Sequence, residues 1–569
     1  MSLKEKSEKL KEIMSHYDTK WLLGDLSFVM HSGRERAADQ LGQLSSPMRQ
    51  LYYLAGLNIS SPVSDGLTYG YDPEEWKVIA GLLNAIESDY AEQLMAETGT
   101  DKGEWEKVRN VAVPSFLSYF NEGPLNFEEQ ILNWVIDLYT NFDTYLEQEY
   151  GLQVIDFVNF YNNLDQLGQG NFQAFTMSPE LLREDWEDYT NIKSGMDENL
   201  PAFFRDSVPK EYLVMSKFMI DKGMKDRFYP SELALDGLTE DKVKIILGML
   251  SCRREQRDFT FYTETKPGNP LYDFPIMDLE NGMYQVFEVK QVIHAINNFL
   301  ERDITRDAVR MDRYLKLKGD LLEDNIVKLL SDFLGEGTKK VYQSYFVKGK
   351  EQDILILWND YALIIEAKGY NLREPFRNPE KAFVRISDDF KKCIGYGYEQ
   401  TSRVESIILS GDPLVIEDKD GGVIEQIDTA CIKEAFSIIV NQHSFGLVQN
   451  DLSYLLNVGE EDIYPWAVTF EDLEIFILTL TALKKSPQYF FDFLLFREEL
   501  HGKVRCSDEL EICGGYLTGK INAKRSKYQQ IIKTLPEFGD IFDDQYRKGM
   551  GFKNEKYLEE KLGGRHMFW

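Results

Sequence analysis

The stretch EQDILILWNDYALIIEAKG, residues 351–369, decides the fold of the central part of this chain. It contains two short apolar runs, Ile354–Leu357 and Ala362–Ile365, separated by the four residues WNDY. Apolar runs of this length on either side of an Asn-Asp turn signal are typical of buried strands. The stretch therefore predicts two strands joined in a tight hairpin.

Charged residues stand at the ends of both predicted strands. Asp353 opens the first strand, Glu366 closes the second, and Lys368 follows two positions later. In an antiparallel hairpin the start of one strand lies beside the end of the next, so the three side chains are expected to meet. Glu366 and Lys368 share a face because strand side chains alternate. Such charges are costly at the edge of an apolar sheet, which points to a functional role.

Composition and charge limit the functions to consider. The 569 residues suggest three or four domains by length, and contents of 43% hydrophobic and 13% aromatic residues are those of a globular protein. A net charge of −31 argues against non-specific coating of nucleic acid. The stretch 317–403 is neutral, with 14 basic and 14 acidic residues, so a polyanion would meet least repulsion there.

Cysteine and histidine usage predicts a reducing compartment and no thiolate zinc site. The five cysteines include no CxxC pair, and the six histidines have no metal-ligand spacing. The charged N-terminus lacks the apolar core of a signal peptide, and no apolar run is long enough to span a bilayer. We expect a cytoplasmic protein without membrane contact.

Three regions are predicted along the chain. Residues 1–270 are expected to be mainly helical, with an aromatic-rich core and no recognisable role. Residues 271–455 carry the α/β core, at 316–440, and residues 456–569 are expected to be helical again. Helices are predicted outside the core at Trp76–Ala96, Phe127–Tyr150, Leu181–Ile192, Glu240–Leu250, Gln291–Arg313, Phe470–Leu483 and Pro487–Glu499.

The core is expected to be a mixed sheet flanked by helices. A helix with an apolar stripe carries Glu323 beside that stripe, and Gly335 and Gly337 end it. A strand at Val341–Val347 leads into the hairpin, and Pro379 begins a helix that is expected to reach about Arg403. Two further apolar runs are interpreted as strands of the same sheet, Ile407–Leu409 and Phe436–Val440.

Oxygen ligands at a sheet edge favour a hard cation such as Mg²⁺ or Mn²⁺. Asp353 and Glu366 would hold the ion, Glu323 would add a ligand, and Lys368 would orient a water and offset charge. The alternative is a structural ion-pair cluster.

Basic residues on the next helix suggest a contact with phosphate groups. Lys381, Arg385 and Lys392 fall roughly on one face, near where a nucleic-acid backbone would need cations. An ordinary solvated face is the alternative. The tail from Lys520 to Trp569 mixes basic and aromatic residues and is interpreted as ordinary surface, with a contact to nucleic acid or a protein partner as the alternative.

The order of these residues resembles the PD-(D/E)XK nuclease superfamily, which has the restriction-endonuclease-like fold. The resemblance rests on Glu323, Gln352-Asp353 and Glu366-Ala367-Lys368. It implies that Asp353, Glu366 and the Ala367 carbonyl bind the metal and that Lys368 serves the nucleophile. Gln400, on the following helix, matches a glutamine that several branches place near the lysine. Gln352 replaces the proline of the motif's name.

The resemblance implies Mg²⁺-dependent hydrolysis of phosphodiester bonds in DNA, by in-line attack of water that leaves a 5′-phosphate. Mn²⁺ is the alternative ion and RNA the alternative substrate, and anti-phage defence, restriction or repair are the settings. Two other functions stay open: nucleic-acid binding without cleavage, and a scaffold that uses the acidic helical half. The helical regions are expected to choose a substrate or partner, or to form a homo-oligomer.

Overall fold

The structure is a computed structural model that describes residues 1–31, 41–64, 66–70, 72–95, 102–121, 126–176, 221–370, 372–459, 462–506, 508–526 and 528–555. The helix predicted at Leu181–Ile192 and the last part of the basic, aromatic tail lie outside these ranges. Within them, no helix is both long and apolar enough to cross a lipid bilayer.

The described helices of eight or more residues are numbered in chain order. They are α1 (Leu3–Ser15), α2 (Thr19–His31), α3 (Pro47–Ile59), α4 (Pro73–Met95), α5 (Lys102–Asn121), α6 (Glu128–Tyr139), α7 (Asp143–Tyr150), α8 (Val154–Thr176), α9 (Glu240–Leu250), α10 (Val289–Ile304), α11 (Ala308–Leu334), α12 (Pro379–Phe390), α13 (Tyr396–Ser410), α14 (Phe470–Ala482), α15 (Pro487–Glu498), α16 (Glu509–Leu517) and α17 (Asp540–Lys548).

In the described part of the chain the strands form three sheets, of four, seven and two strands. They are β1 (Arg227–Phe228), β2 (Ser251–Cys252), β3 (Ile276–Asp278), β4 (Tyr284–Val286), β5 (Thr338–Val347), β6 (Lys350–Trp358), β7 (Tyr361–Lys368), β8 (Leu414–Glu417), β9 (Val423–Ile427), β10 (Glu434–Asn441), β11 (Trp466–Thr469), β12 (Val504–Arg505) and β13 (Ile532–Lys533).

The described residues divide into two compact units. Unit 1 takes Met1–Asp89 and Trp134–Arg306, and unit 2 takes Tyr90–Asn133 and Asp307–His566. Residues 271–306, predicted with the α/β core, lie in unit 1, while the described residues of the predicted C-terminal region lie in unit 2 with the sheet. Among the aromatic residues of unit 1 that were predicted to be core residues, Tyr53, Phe157 and Phe160 are fully buried.

The seven-stranded sheet of unit 2 is mixed, with the strand order β11-β10-β7-β6-β5-β8-β9. β7, β10 and β11 run parallel to one another, and the other neighbours pair antiparallel. The predicted hairpin is confirmed, because β6 and β7 pair through Trp358 and Tyr361 around a two-residue turn. Asn359 occupies a left-handed conformation in that turn, with φ of +47°, which asparagine tolerates well.

Helices cover both faces of this sheet, so the predicted mixed α/β core is confirmed. On one face Leu322, Ile326 and Leu330 of α11 pack on β6 and β7 together with α14 and α15. On the other face Val404 and Ile407 of α13 pack on the same strands. The alternating side chains of β6 and β7 thus bury both faces, which explains their nearly continuous apolar sequence.

Three local predictions are wrong. Ile407–Leu409 is the last part of α13 and not a strand, since a three-residue apolar run has too little periodicity to separate the two. The helix that begins at Pro379 is interrupted by a π-helical turn, Lys391–Gly395, before α13. The predicted helix Gln291–Arg313 is also two helices, which meet where Asp307 caps α11 by accepting a hydrogen bond from the Arg310 backbone N–H.

A buried glutamate on α13 makes the stability of unit 2 depend on pH. Burial raises the pKa of Glu405 from 4.5 to about 7, partly offset by a hydrogen bond that Ser437 donates to its carboxylate over 2.9 Å. Because the folded-state pKa is raised, the protonated carboxyl contributes stability that is fully present below pH 4.5. That stability is lost as the pH rises through about 7, and the full difference is about 3 kcal/mol.

We therefore expect Glu405→Gln to raise the unfolding temperature at pH 8 and to leave it nearly unchanged at pH 4.5. The glutamine keeps an oxygen for Ser437 but carries no charge to bury. Thermal unfolding of both proteins between pH 4.5 and 8 measures the effect. An equal difference between the two proteins at every pH would contradict this explanation.

Candidate active site

The candidate site lies where β6 and β7 separate. Their backbone ladder ends at the pair Ile354–Ile365. Beyond it the side chains replace the ladder: the Ala367 N–H donates to Asp353 Oδ2 over 2.8 Å, and the Asp353 N–H donates to Glu366 Oε1 over 3.2 Å. Each acid therefore binds the backbone of the opposite strand, and the two carboxylates are held where β6 and β7 separate.

Lys368 joins the two acids, as the strand alternation predicts. Its Nζ atom donates to Glu366 Oε2 over 2.6 Å and lies 3.4 Å from Asp353 Oδ2. It also donates to Gln400 Oε1 over 3.0 Å, so α13 contributes the fourth side chain. Four residues that are up to 47 positions apart in the sequence thus form one hydrogen-bonded group.

Burial and mutual repulsion control the charges of this group. Glu366 has no exposed surface, and burial followed by the nearby Asp353 raises its pKa to about 8 despite Lys368. Burial alone would lower the pKa of Lys368, but the Asp353 and Glu366 carboxylates outweigh it and raise that pKa. Asp353 and Lys368 each keep 17% of their side chains exposed, so the group is reached from solvent through them.

Glu323 faces this group from α11. Ser344 of β5 donates a hydrogen bond to its Oε2 over 3.4 Å, and Glu323 makes no direct bond to Asp353. Burial, then the charge of Asp353, raises the pKa of Glu323 to about 7. The helix acid is therefore close enough to act on the central acids, as its position in the sequence predicts.

Comparison with models of protein families, with curated proteins and with solved structures finds no match for this chain. What the site can do therefore follows from its own side chains.

The donor set is made of oxygen atoms. The candidate metal ligands are the carboxylates of Asp353, Glu366 and Glu323 and the backbone carbonyl of Ala367. In the described part of the chain, no three His, Cys, Asp or Glu side chains are grouped as a ready-made metal site. Magnesium needs no such group, since one or two carboxylates suffice when waters and substrate phosphates complete its coordination.

The segment after β7 is anchored to α12 by one buried acid. Asp389 has no exposed surface, and it accepts hydrogen bonds from the Tyr370 hydroxyl over 3.0 Å and from Arg373 Nε over 2.7 Å. These bonds fix the chain two to five residues beyond Lys368. Asp389 therefore helps to hold the end of β7 in place, a role that its sequence context does not reveal.

The three basic residues predicted to contact phosphate groups have different surroundings. Lys381 is exposed near the start of α12. Arg385 stacks on the ring of Phe376 at 3.6 Å and donates to the Glu374 carbonyl over 2.6 Å. Lys392 pairs with Asp388 over 2.9 Å. Two of the three cations thus already have partners in their own unit, and a phosphate would compete with those partners.

Proposed function

We propose that this chain is a metal-dependent nuclease of the PD-(D/E)XK type, with DNA as its substrate. The observation that carries the proposal is a pair of hydrogen bonds at the open end of the hairpin, where the Ala367 N–H donates to Asp353 and the Asp353 N–H donates to Glu366. These bonds hold the two acids together beside Lys368. The resemblance of the sequence to that superfamily supports DNA and a restriction-endonuclease-like fold. Gln400, bonded to Lys368, agrees with the same assignment.

The residues of the site fit a divalent cation. Glu366 is wholly buried beside Asp353 with Glu323 nearby, and the ammonium of Lys368 offsets only one of these negative charges. Burial first and the charge of Asp353 second raise the pKa of Glu366 and Glu323, and an added positive charge would offset the second of these causes. Asp353, Glu366 and the Ala367 carbonyl would hold Mg²⁺ or Mn²⁺, with Glu323 as a further ligand. The bound ion would polarise the phosphate and stabilise charge on the leaving oxygen.

The side chains of this chain would then position water and substrate. Lys368 lies close enough to both acids for its ammonium to orient a water and to offset charge on the phosphate oxygens. Gln400 fixes the direction of the Lys368 side chain by accepting a hydrogen bond from its ammonium group. The water attacks phosphorus in line with the leaving 3′-oxygen, and the products are a 5′-phosphate and a 3′-hydroxyl.

The local charge supports the approach of a polyanion to this part of the chain. The stretch 317–403 is neutral within a chain of net charge −31, and Lys381 is exposed at the start of α12. A phosphate backbone is repelled least by such a stretch.

The direct test is cleavage of plasmid, linear, single-stranded and branched DNA with Mg²⁺, with Mn²⁺ or with EDTA. We expect products with either metal and none with EDTA, and no products from Lys368→Ala. Gel analysis and end-labelling report the products and their 5′-phosphate. Cleavage that survives EDTA, or that Lys368→Ala retains in full, would rule out the assigned site. The absence of cleavage of every substrate would favour the binding or scaffold functions.

A further inference from the structure

Tyr345, on β5, is buried beside the candidate site without a hydrogen-bond partner. Its side chain is 2% exposed, and none of the described residues bonds its hydroxyl. A buried hydroxyl without a partner costs about 1–3 kcal/mol. Native proteins rarely retain such a group unless a water, an ion or a ligand completes it.

The backbone before Tyr345 is in an unusual conformation. Ser344 has a φ of +48°, a left-handed conformation that is uncommon for residues other than glycine. Tyr342 packs on the α13 side of the sheet, and regular alternation would place Tyr345 on the opposite side. Instead Tyr345 packs on that same side with Leu355 and Ile364. The turn at Ser344 therefore brings the tyrosine to the face where Lys368 meets Gln400.

The acids of the site act on this tyrosine. Burial raises the pKa of the Tyr345 phenol well above its ordinary value, and the charges of Glu366 and Asp353 raise it further. The phenol therefore keeps its proton and is a hydrogen-bond donor. This donor has no hydrogen-bond acceptor among the described residues, although the charges of both carboxylates act on it.

We propose that Tyr345 is a positioning residue of the candidate site, whose hydroxyl donates a hydrogen bond to a water or ligand oxygen bound beside Asp353 and Glu366. This inference rests on the proposed function. The expected partner is an oxygen that arrives with the divalent cation. Tyr345 would thus orient that oxygen and increase the affinity of the site for the ion.

A permanent structural water is the alternative partner. Gln352 lies opposite Tyr345 in the β5–β6 register, and its Oε1 atom is also buried without a partner. One water could join these two groups and have no connection to the metal. In that case loss of the Tyr345 hydroxyl would change stability to the same extent with and without the ion.

The test is thermal unfolding of the full-length protein with increasing MnCl₂, together with calorimetric titration of Mn²⁺. Tyr345→Phe removes only the hydroxyl. Tyr342→Phe is the matched control, because the Tyr342 hydroxyl on the same strand donates to Glu425 over 2.7 Å. Asp353→Asn removes a proposed ligand and tests the metal site itself.

We expect Tyr345→Phe to unfold no earlier than wild type without Mn²⁺, but to bind Mn²⁺ about 10-fold more weakly and to gain less stability from it. Tyr342→Phe should lose stability and keep the full response to Mn²⁺. An unchanged Mn²⁺ response in Tyr345→Phe, with the response lost in Asp353→Asn, would overturn the role of Tyr345 alone. No response in wild type would overturn the proposed metal site and this inference together.

Discussion

Replacing Glu366 with glutamine is expected to reduce the rate of metal-dependent DNA cleavage by about 100- to 1,000-fold while the protein stays folded. Glutamine has nearly the same shape, and its side-chain oxygen can still accept the hydrogen bond from the Asp353 N–H or from Lys368. What it lacks is the negative charge that holds a divalent cation. Initial rates of cleavage at saturating Mg²⁺ measure the loss, and unfolding curves check the fold.

Glu405→Gln is the matched control for this experiment. Glu405 is also a buried glutamate of unit 2 with a raised pKa, and its carboxylate bonds Ser437 and not Lys368. We expect this variant to cleave DNA at the rate of wild type. If both glutamines reduced cleavage equally, the effect would belong to the loss of a buried charge in general and not to the site.

Separation of the Arg497–Glu509 pair is expected to lower the free energy of unfolding of unit 2 by about 3–5 kcal/mol. Arg497, on α15, has no exposed surface, and its Nε and Nη2 atoms donate to the two carboxylate oxygens of Glu509 over 2.7 and 2.9 Å. Nη2 also donates to the Asn450 carbonyl, and the Trp466 indole donates to Glu509. The pair thus joins α15, α16 and β11 through bonds that are all made inside the core.

Arg497→Met leaves Glu509 as a buried charge without its main partner, and Glu509→Met does the same to Arg497. The double variant Arg497→Met/Glu509→Met removes both charges and should be less destabilised than either single variant. Urea unfolding of the four proteins forms a double-mutant cycle that measures the coupling. Additive losses in the double variant would mean that the two side chains stabilise the core independently.

The hairpin and its acids were predictable because their signals are local. The Asn-Asp turn, the apolar runs and the acids at the strand ends all lie within the 19 residues 351–369. Strand pairing then brings Asp353, Glu366 and Lys368 together whatever the rest of the chain does. The place of Gln400 in the site was predicted only from the resemblance, because its contact with Lys368 depends on how α13 packs on β7.

Features that depend on tertiary packing were not predictable. Ile407 and Ile408 gave the pattern of a strand because the apolar run was too short to show the helical period. The buried hydroxyl of Tyr345 depends on the left-handed turn at Ser344, and serine is not a residue that signals such a turn. Arg385 is bound by the Glu374 carbonyl, a partner eleven residues away that helical spacing does not indicate. Asp388, by contrast, lies four residues before Lys392, and that spacing on a helix predicts their pair.

The π-helical turn Lys391–Gly395 connects α12 to α13, and its length determines where the Gln400 side chain points. Each residue of an α-helix turns the chain by about 100°, so the loss of one residue from this turn would point Gln400 about a quarter-turn away from Lys368. The number of residues between the start of α12 and Gln400 is therefore constrained. A related chain that preserves this contact should change length in the segment before α12 and keep the turn intact.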